Sequence, residues 1–130
     1  MIDRIAVDTN PVIAWFRSGT SQPFAIGDAR YVALLLPVVA ELYFGAFASS
    51  DRQANIAFVE EFVTKHDLVT PDGTTARIYG QLRARHRLDN IRASKMNDVW
   101  IAALCIQHEL PLLTNDRGFD SFENLQVLHW

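Results

Sequence analysis

Asp8, Glu41, Asp98 and Asp116 stand far apart in the chain, yet each belongs to a segment whose local pattern delivers it to the same edge of a sheet. Gathered there, four carboxylates repel one another and raise each other's pKa unless a cation sits among them. Clusters of hard oxygen donors suit Mg²⁺ or Mn²⁺, which keep several waters in their coordination shells. Taken singly, the acids have ordinary explanations. Asp98 reads as a helix-start residue stabilised by the macrodipole, and Asp116 as a turn former. Glu41 sits beside Ala40, Leu42 and Tyr43 in an otherwise apolar helix, where an ion pair with an arginine is the ordinary reading. All four together, at one predicted edge, are hard to assign to caps and turns.

The elements that must position them alternate between strand and helix patterns. Residues 4–8 form a short apolar run ending in Asp-Thr-Asn-Pro, a strand that feeds a helix at Pro11. Residues 31–36 are apolar on both faces, as in a central parallel strand, and Pro37 opens a helix that carries Glu41 about one turn in. Residues 51–65 read as a helix and residues 68–70 as a short strand. Thr74 or Thr75 is suited to cap a helix reaching about His86. Residues 88–96 read as a loop, after which Asn97 caps an apolar helix running from Val99 to about His108. Residues 111–114 are a buried strand followed at once by Asn115 and Asp116. A helical turn at residues 119–122 and a last strand at residues 126–129 complete the pattern. This order predicts an α/β fold, a single domain over residues 1–130 with a central parallel sheet of four to five strands flanked by helices. In such sheets, sites form outside the carboxyl ends of the strands.

Composition agrees with one globular unit. The chain has 130 residues, 49% of them hydrophobic and 21% charged, enough for one substantial core. The longest nearly apolar stretch, residues 31–40, is too short to span a bilayer and is broken by Pro37. No signal-peptide pattern follows Asp3 and Arg4, so a cytoplasmic protein is expected. Cys105 is the sole cysteine, which excludes an intramolecular disulfide and suggests a buried, inert thiol. A net charge of −3 argues mildly against a nucleic-acid binder. Yet Arg77, Arg83, Arg85, Arg87, Arg92 and Lys95 fall between residues 77 and 95 with Asp89 as the only acid there. A basic flank and a solvated helix face are equally good readings of that stretch.

Asp8-Thr9-Asn10, Glu41-Leu42-Tyr43-Phe44-Gly45, Asn97-Asp98-Val99-Trp100-Ile101-Ala102-Ala103 and Leu113-Thr114-Asn115-Asp116 resemble, in order and spacing, the four motifs of PIN-domain ribonucleases. The VapC toxins of type II toxin-antitoxin modules are the nearest resemblance, and it spans nearly the whole chain. It implies a PIN-like fold, Mg²⁺- or Mn²⁺-dependent endoribonuclease activity, homodimers, and a VapB-type antitoxin in a toxin-antitoxin hetero-oligomer. By position, Asp8, Glu41, Asp98 and Asp116 match the family's catalytic, metal-binding acids, with Asp8 and Asp98 the most direct ligands. Thr9, Asn10, Thr114 and Asn115 are polar neighbours suited to orienting those ligands. Arg83, Arg85, Arg87, Arg92 and Lys95 become candidate RNA contacts.

The chain also departs from that pattern. Glu109 stands where many relatives end the helix with Gly, a change in capping without catalytic consequence. Gly118 occupies a position where relatives often carry a polar or acidic residue, with Asp120 close by, so a fifth carboxylate is not expected. His66, His86, His108 and His129 lack ligand spacing and read as surface or helix-end residues. Trp15, Trp100 and Trp130 read as core or interface residues. Phe44, Phe47, Phe58 and Phe62 suit either an apolar groove for an antitoxin helix, a dimer contact, or plain core packing. The rival functions are a stand-alone PIN-domain RNA-processing nuclease, a non-catalytic RNA-binding PIN module, and a receiver-like phosphoacceptor domain. The last wants paired acids after the first strand and a lysine after a late one, where this chain offers Asp8-Thr9-Asn10 and Thr114-Asn115-Asp116.

Overall fold

The apolar runs become strands of one parallel sheet in a computed structural model that describes residues 2–18, 29–89 and 95–129. β1 (Ile2–Val7), β2 (Ala29–Leu35), β3 (Asp67–Val69), β4 (Leu112–Leu113) and β5 (Val127–Leu128) lie in the order β3-β2-β1-β4-β5. The helices are α1 (Thr9–Ser18), α2 (Leu36–Ala48), α3 (Arg52–Lys65), α4 (Gly73–Leu88) and α5 (Met96–Gln107), with a 3-10 turn at Arg117–Ser121. Ile5, Ala6 and Val7 of β1, and Ala33, Leu34 and Leu35 of β2, are wholly buried at consecutive positions, so helices must cover both faces of the sheet. Among the described residues, no helix is long and apolar enough to cross a membrane.

Strand order fixes where a site can form. The chain runs outward from β1 to β2 and β3, then returns to the other side of β1 with β4 and β5. Ala6 pairs with Ala33 on one side and with Leu112 on the other. The crevice between the carboxyl ends of β1 and β4 is therefore the point at which strand order reverses, where ligands bind in sheets of this kind. Asp8 and Thr114 each follow their strand by one residue and flank that crevice.

The helices are held by ordinary packing. α2 buries Val38, Val39, Leu42 and Ala46, one stripe at helical spacing, and Pro37 occupies its first turn, where no amide partner is required. α5 buries Val99 and every residue from Ile101 to Cys105, and truncating Ile101 or Leu104 to Ala should cost about 2–5 kcal/mol. Burial pushes the Cys105 thiol far above the usual range, which keeps it inert. Tyr79 of α4 stacks on Trp100 of α5 at 4.4 Å, and Trp15 packs edge-on against Phe62 at 5.2 Å.

Two helix starts differ from the sequence expectation. The cap of α4 is Asp72, whose carboxylate accepts the Thr75 N–H at 3.1 Å, while the buried Thr75 hydroxyl accepts the Asp72 N–H at 2.9 Å. Gln107 of α5 binds both members of this capping box, donating to Asp72 at 3.0 Å and accepting from the Thr75 hydroxyl. α5 begins earlier than expected, with Lys95 rather than Asn97 at its cap position. Of the expected loop at residues 88–96, positions 90–94, Arg92 among them, lie outside the described residues.

At the far end of α5, Glu109 has φ of 52°. The Leu110 N–H reaches the Cys105 carbonyl at 2.8 Å and the Glu109 N–H reaches Ile106 at 3.3 Å, the bond pair of a Schellman cap. Gly takes this left-handed conformation without strain and Glu does not.

Candidate metal centre

Asp8 continues the β1–β4 ladder by donating its N–H to the Leu113 carbonyl at 3.0 Å, which draws its side chain into a buried position. One carboxylate oxygen accepts the Thr9 N–H at 2.8 Å and the other accepts the Thr114 hydroxyl at 2.8 Å. Burial nevertheless raises its pKa above the usual carboxylate range. The two hydrogen bonds oppose that rise, and the charges of Glu41 and Asp116 add to it.

Glu41 is half-buried on α2, and its partners are neutral. The Thr9 hydroxyl donates to one oxygen at 2.5 Å, and the Asn97 amide donates to the other. Asn97 also donates to the Pro37 carbonyl at 3.3 Å, tying the start of α5 to the start of α2. The arginine ion pair that would have explained Glu41 locally is absent among the described residues.

Asp98, in the first turn of α5, carries the clearest sign of convergence. Its carboxyl is pushed up to about 6, first by burial and then by the charges of Asp8, Asp116 and Glu41, with Lys95 opposing. Asp116 is exposed; its N–H donates to the Thr114 hydroxyl at 3.0 Å and its carboxylate accepts the Gly118 N–H at 2.8 Å. It is thus a turn former and a member of the cluster at once. A Cβ at Gly118 would stand 3.1 Å from the Asp116 carboxylate, so a side chain there would crowd it.

Acids from four elements therefore share one electric field at the predicted edge. Among the described residues, no three His, Cys, Asp or Glu side chains are gathered closely enough to hold a metal ion together. The donor set still fits a hard divalent cation: all oxygen, partly desolvated, and without a Lys or Arg ion pair on any of the four among the described residues. Mg²⁺ keeps several waters and needs only one or two protein carboxylates.

A PIN-domain family model matches residues 5–125 of this chain. The chain belongs to the PIN-domain family. Ribonuclease VapC5 of Mycobacterium tuberculosis is 32% identical to this PIN domain over 119 residues, covering 90% of this chain and 86% of that protein, which places the chain with the VapC proteins. Solved structures share the fold. A VapBC2 structure from Rickettsia felis, bound to a DNA fragment from its promoter, matches with a TM-score of 0.84 at 20% identity, covering 98% of each chain. The VapBC-5 structure from M. tuberculosis matches with a TM-score of 0.77 at 24% identity, again over 98% of each chain.

Not every polar residue singled out in the sequence engages this PIN domain's acids. Thr9 and Thr114 do, whereas Asn10 and Asn115 are exposed and make no hydrogen bond to them among the described residues. The basic stretch is partly spent: Arg85 pairs with Asp89 at 2.9 Å and reaches Glu123 at 3.9 Å, and the Arg83 guanidinium lies over Tyr79. Arg87 is exposed, and Lys95 acts on Asp98. The four phenylalanines separate. Phe62 belongs to the core, Phe44 and Phe47 are exposed on α2, and Phe58 packs on Phe16 with ring centroids 4.1 Å apart. Phe16 and Phe58 line a groove of about 310 Å³ with Ile13, Arg17 and Leu42, and Glu41 forms part of its wall.

Asn97 and two histidines carry more than their sequence reading. Asn97, expected as a cap, holds Glu41, and its place directly before Asp98 in the third motif was the available signal. His86 is buried and stacks on Phe122 at 4.5 Å rather than lying on the surface. His129 is partly buried and binds Thr114 and Asp120, a link no local pattern announces. His66 packs on Phe62 and donates from Nδ1 to the Phe62 carbonyl at 2.9 Å, while His108 is an exposed helix end as expected.

Proposed function

We propose that this PIN domain is a divalent-metal-dependent endoribonuclease, the toxin of a VapBC-type module, hydrolysing RNA phosphodiester bonds with an activated water. The observation that carries this reading is the hydrogen-bond network that ties the acids together at one sheet edge: Thr9 joins Asp8 to Glu41, Thr114 joins Asp8 to Asp116, and Asn97 joins Glu41 to the start of the helix that bears Asp98. Mg²⁺ or Mn²⁺, when bound, supplies a lowered water pKa and positive charge against the phosphoryl oxygens. Asp8 and Asp98 are the residues that hold it. Thr114 and Thr9 keep the Asp8 carboxylate aimed, and Thr9 with Asn97 keeps Glu41 facing the crevice. Asp116 completes the acidic wall from the β4 side. Similarity to ribonuclease VapC5 supports RNA as the substrate.

A VapB-type antitoxin partner and a homodimer within a hetero-oligomer belong to the same reading. Likeness to VapBC assemblies supports them. The groove walled by Phe16, Phe58 and Glu41 is the surface where an apolar antitoxin segment would reach the acids.

The test is cleavage of total RNA by purified protein with Mn²⁺, with chelator, and with Asp8→Asn or Asp98→Asn. Activity should fall at least a hundredfold in each of the last three. Undiminished cleavage in chelator would sink the metal reading, and an inert wild type that still binds RNA would favour the non-catalytic module. Mapping RNA 5′ ends after induction in cells identifies the substrate.

A further inference from the structure

Thr114 is wholly buried, and all of its polar groups are used. Its N–H donates to the Leu128 carbonyl at 2.9 Å, extending the β4–β5 ladder. Its hydroxyl donates to Asp8 and accepts the Asp116 N–H. Its carbonyl lies 3.0 Å from His129 Nδ1, and a carbonyl can only accept, so Nδ1 carries the proton of that bond. The opposite ring nitrogen, Nε2, lies 3.0 Å from the Asp120 carboxylate on the 3-10 turn. With both nitrogens protonated, the ring is pinned from both sides.

The carbonyl of Thr114 belongs to the rigid peptide plane that joins Thr114 to Asn115. Holding that carbonyl sets the direction in which the chain leaves β4, and hence where Asp116 is carried. It also stabilises the Thr114 conformation from which the hydroxyl reaches Asp8.

We propose that His129, braced by Asp120, is a positioning residue for the acidic centre: its Nδ1–H fixes the Thr114–Asn115 peptide plane and so aligns Asp116 and the hydroxyl that orients Asp8. The proposal rests on the metal reading above for its functional meaning, but its geometry is testable without metal. Outer partners of metal ligands commonly tune affinity by about 10–100-fold.

The experiment compares full-length wild type with His129→Ala, His129→Asn and His129→Gln. The readouts are Mn²⁺ affinity by electron paramagnetic resonance and metal-free amide exchange at Asp116 by NMR. The Asn amide nitrogen overlays Nδ1, whereas that of Gln overlays Nε2. His129→Ala and His129→Gln should weaken Mn²⁺ binding about tenfold and speed Asp116 exchange, and His129→Asn should restore both to within about threefold of wild type. If Asn and Gln behave alike, or if the variants lower only the Tm, His129 merely pins β5 and the proposal is overturned. Asp98→Asn serves as the control for the metal reading. Unaltered Mn²⁺ affinity in that variant would refute the reading itself, while Asp116 exchange would still decide the role of His129. Should His129→Ala fail to fold, the Asn and Gln pair carries the same decision.

Discussion

The Thr114 hydroxyl donates to the Asp8 carboxylate at 2.8 Å across 106 positions of sequence, joining the residues that follow β1 and β4. The same oxygen accepts the Asp116 N–H, so one hydroxyl serves two acids. Thr114→Val keeps the shape and removes that oxygen. Asp8 would lose a donor that opposes its raised pKa, and the Asp116 amide would lose its acceptor. Cleavage should fall about 10–100-fold with a matching loss of Mn²⁺ affinity, measured by steady-state kinetics and metal titration. Wild-type metal affinity in this variant would show that the bond is incidental to the site.

Asp98 predicts a trade between stability and metal binding. Its carboxyl titrates near 6 in the folded chain and near 3.9 when unfolded, so the folded state holds the proton more tightly. The stability this supplies is full below about pH 4 and is lost as the pH rises through 6. Without divalent cations, Asp98→Asn should therefore raise the Tm at pH 7.5 by a few degrees, about 1 kcal/mol. That is less than the full shift implies, because the side chain is only partly buried and the helix start loses a favourable charge. Near pH 3.5 the two proteins should melt together. Added Mn²⁺ should reverse the order at pH 7.5, and scanning calorimetry across this range checks both signs.

Glu109 predicts a stabilising change remote from the acids. Glu109→Gly relieves a left-handed backbone at the Schellman cap of α5 and should add about 1 kcal/mol. RNA cleavage should stay within a factor of two. Chemical denaturation reads the first effect, and a loss of stability would mean that the Glu side chain makes a compensating contact.

The basic stretch predicts a reduced salt slope. Replacing Arg83, Arg85 and Arg87 with Ala removes three charges, but Arg85 is already paired with Asp89 and Glu123. The slope of log K against log salt for single-stranded RNA should therefore fall by about 1.4, the contribution of two phosphate contacts rather than three. Fluorescence anisotropy between 50 and 200 mM salt resolves this, and an unchanged slope would return α4 to a solvated face.

Sequence made the sheet legible because its central strands are apolar at consecutive positions, a pattern only a doubly covered strand tolerates. The same runs placed Asp8 and Asp116 at one edge, since each directly follows a buried segment. Helix starts were harder. The sequence offers Thr74 or Thr75 as the cap of α4, whereas Asp72 takes that place, its carboxylate held also by Gln107 from another helix. Asn97 likewise does not cap α5, because its amide is claimed by Glu41, 56 residues earlier. His129 was opaque because its partners, Thr114 and Asp120, become neighbours only when β5 docks. The apparent basic face weakened because Arg85 pairs with Asp89 one helical turn on and also reaches Glu123, which linear spacing had not set beside it.

The reversal of strand order between β1 and β4 also has a temporal meaning. The central strand is made before β2 and β3, and its neighbour on the acidic side, β4, only after both. A growing chain that ends before residue 114 has Asp8, Glu41 and Asp98 but neither the hydroxyl that aims Asp8 nor Asp116, and it leaves one edge of β1 unpaired. The acidic wall is thus closed only once β4 and the residues that follow it have been made. A nuclease built in this order is born incomplete, beside the RNA-rich machine that synthesises it.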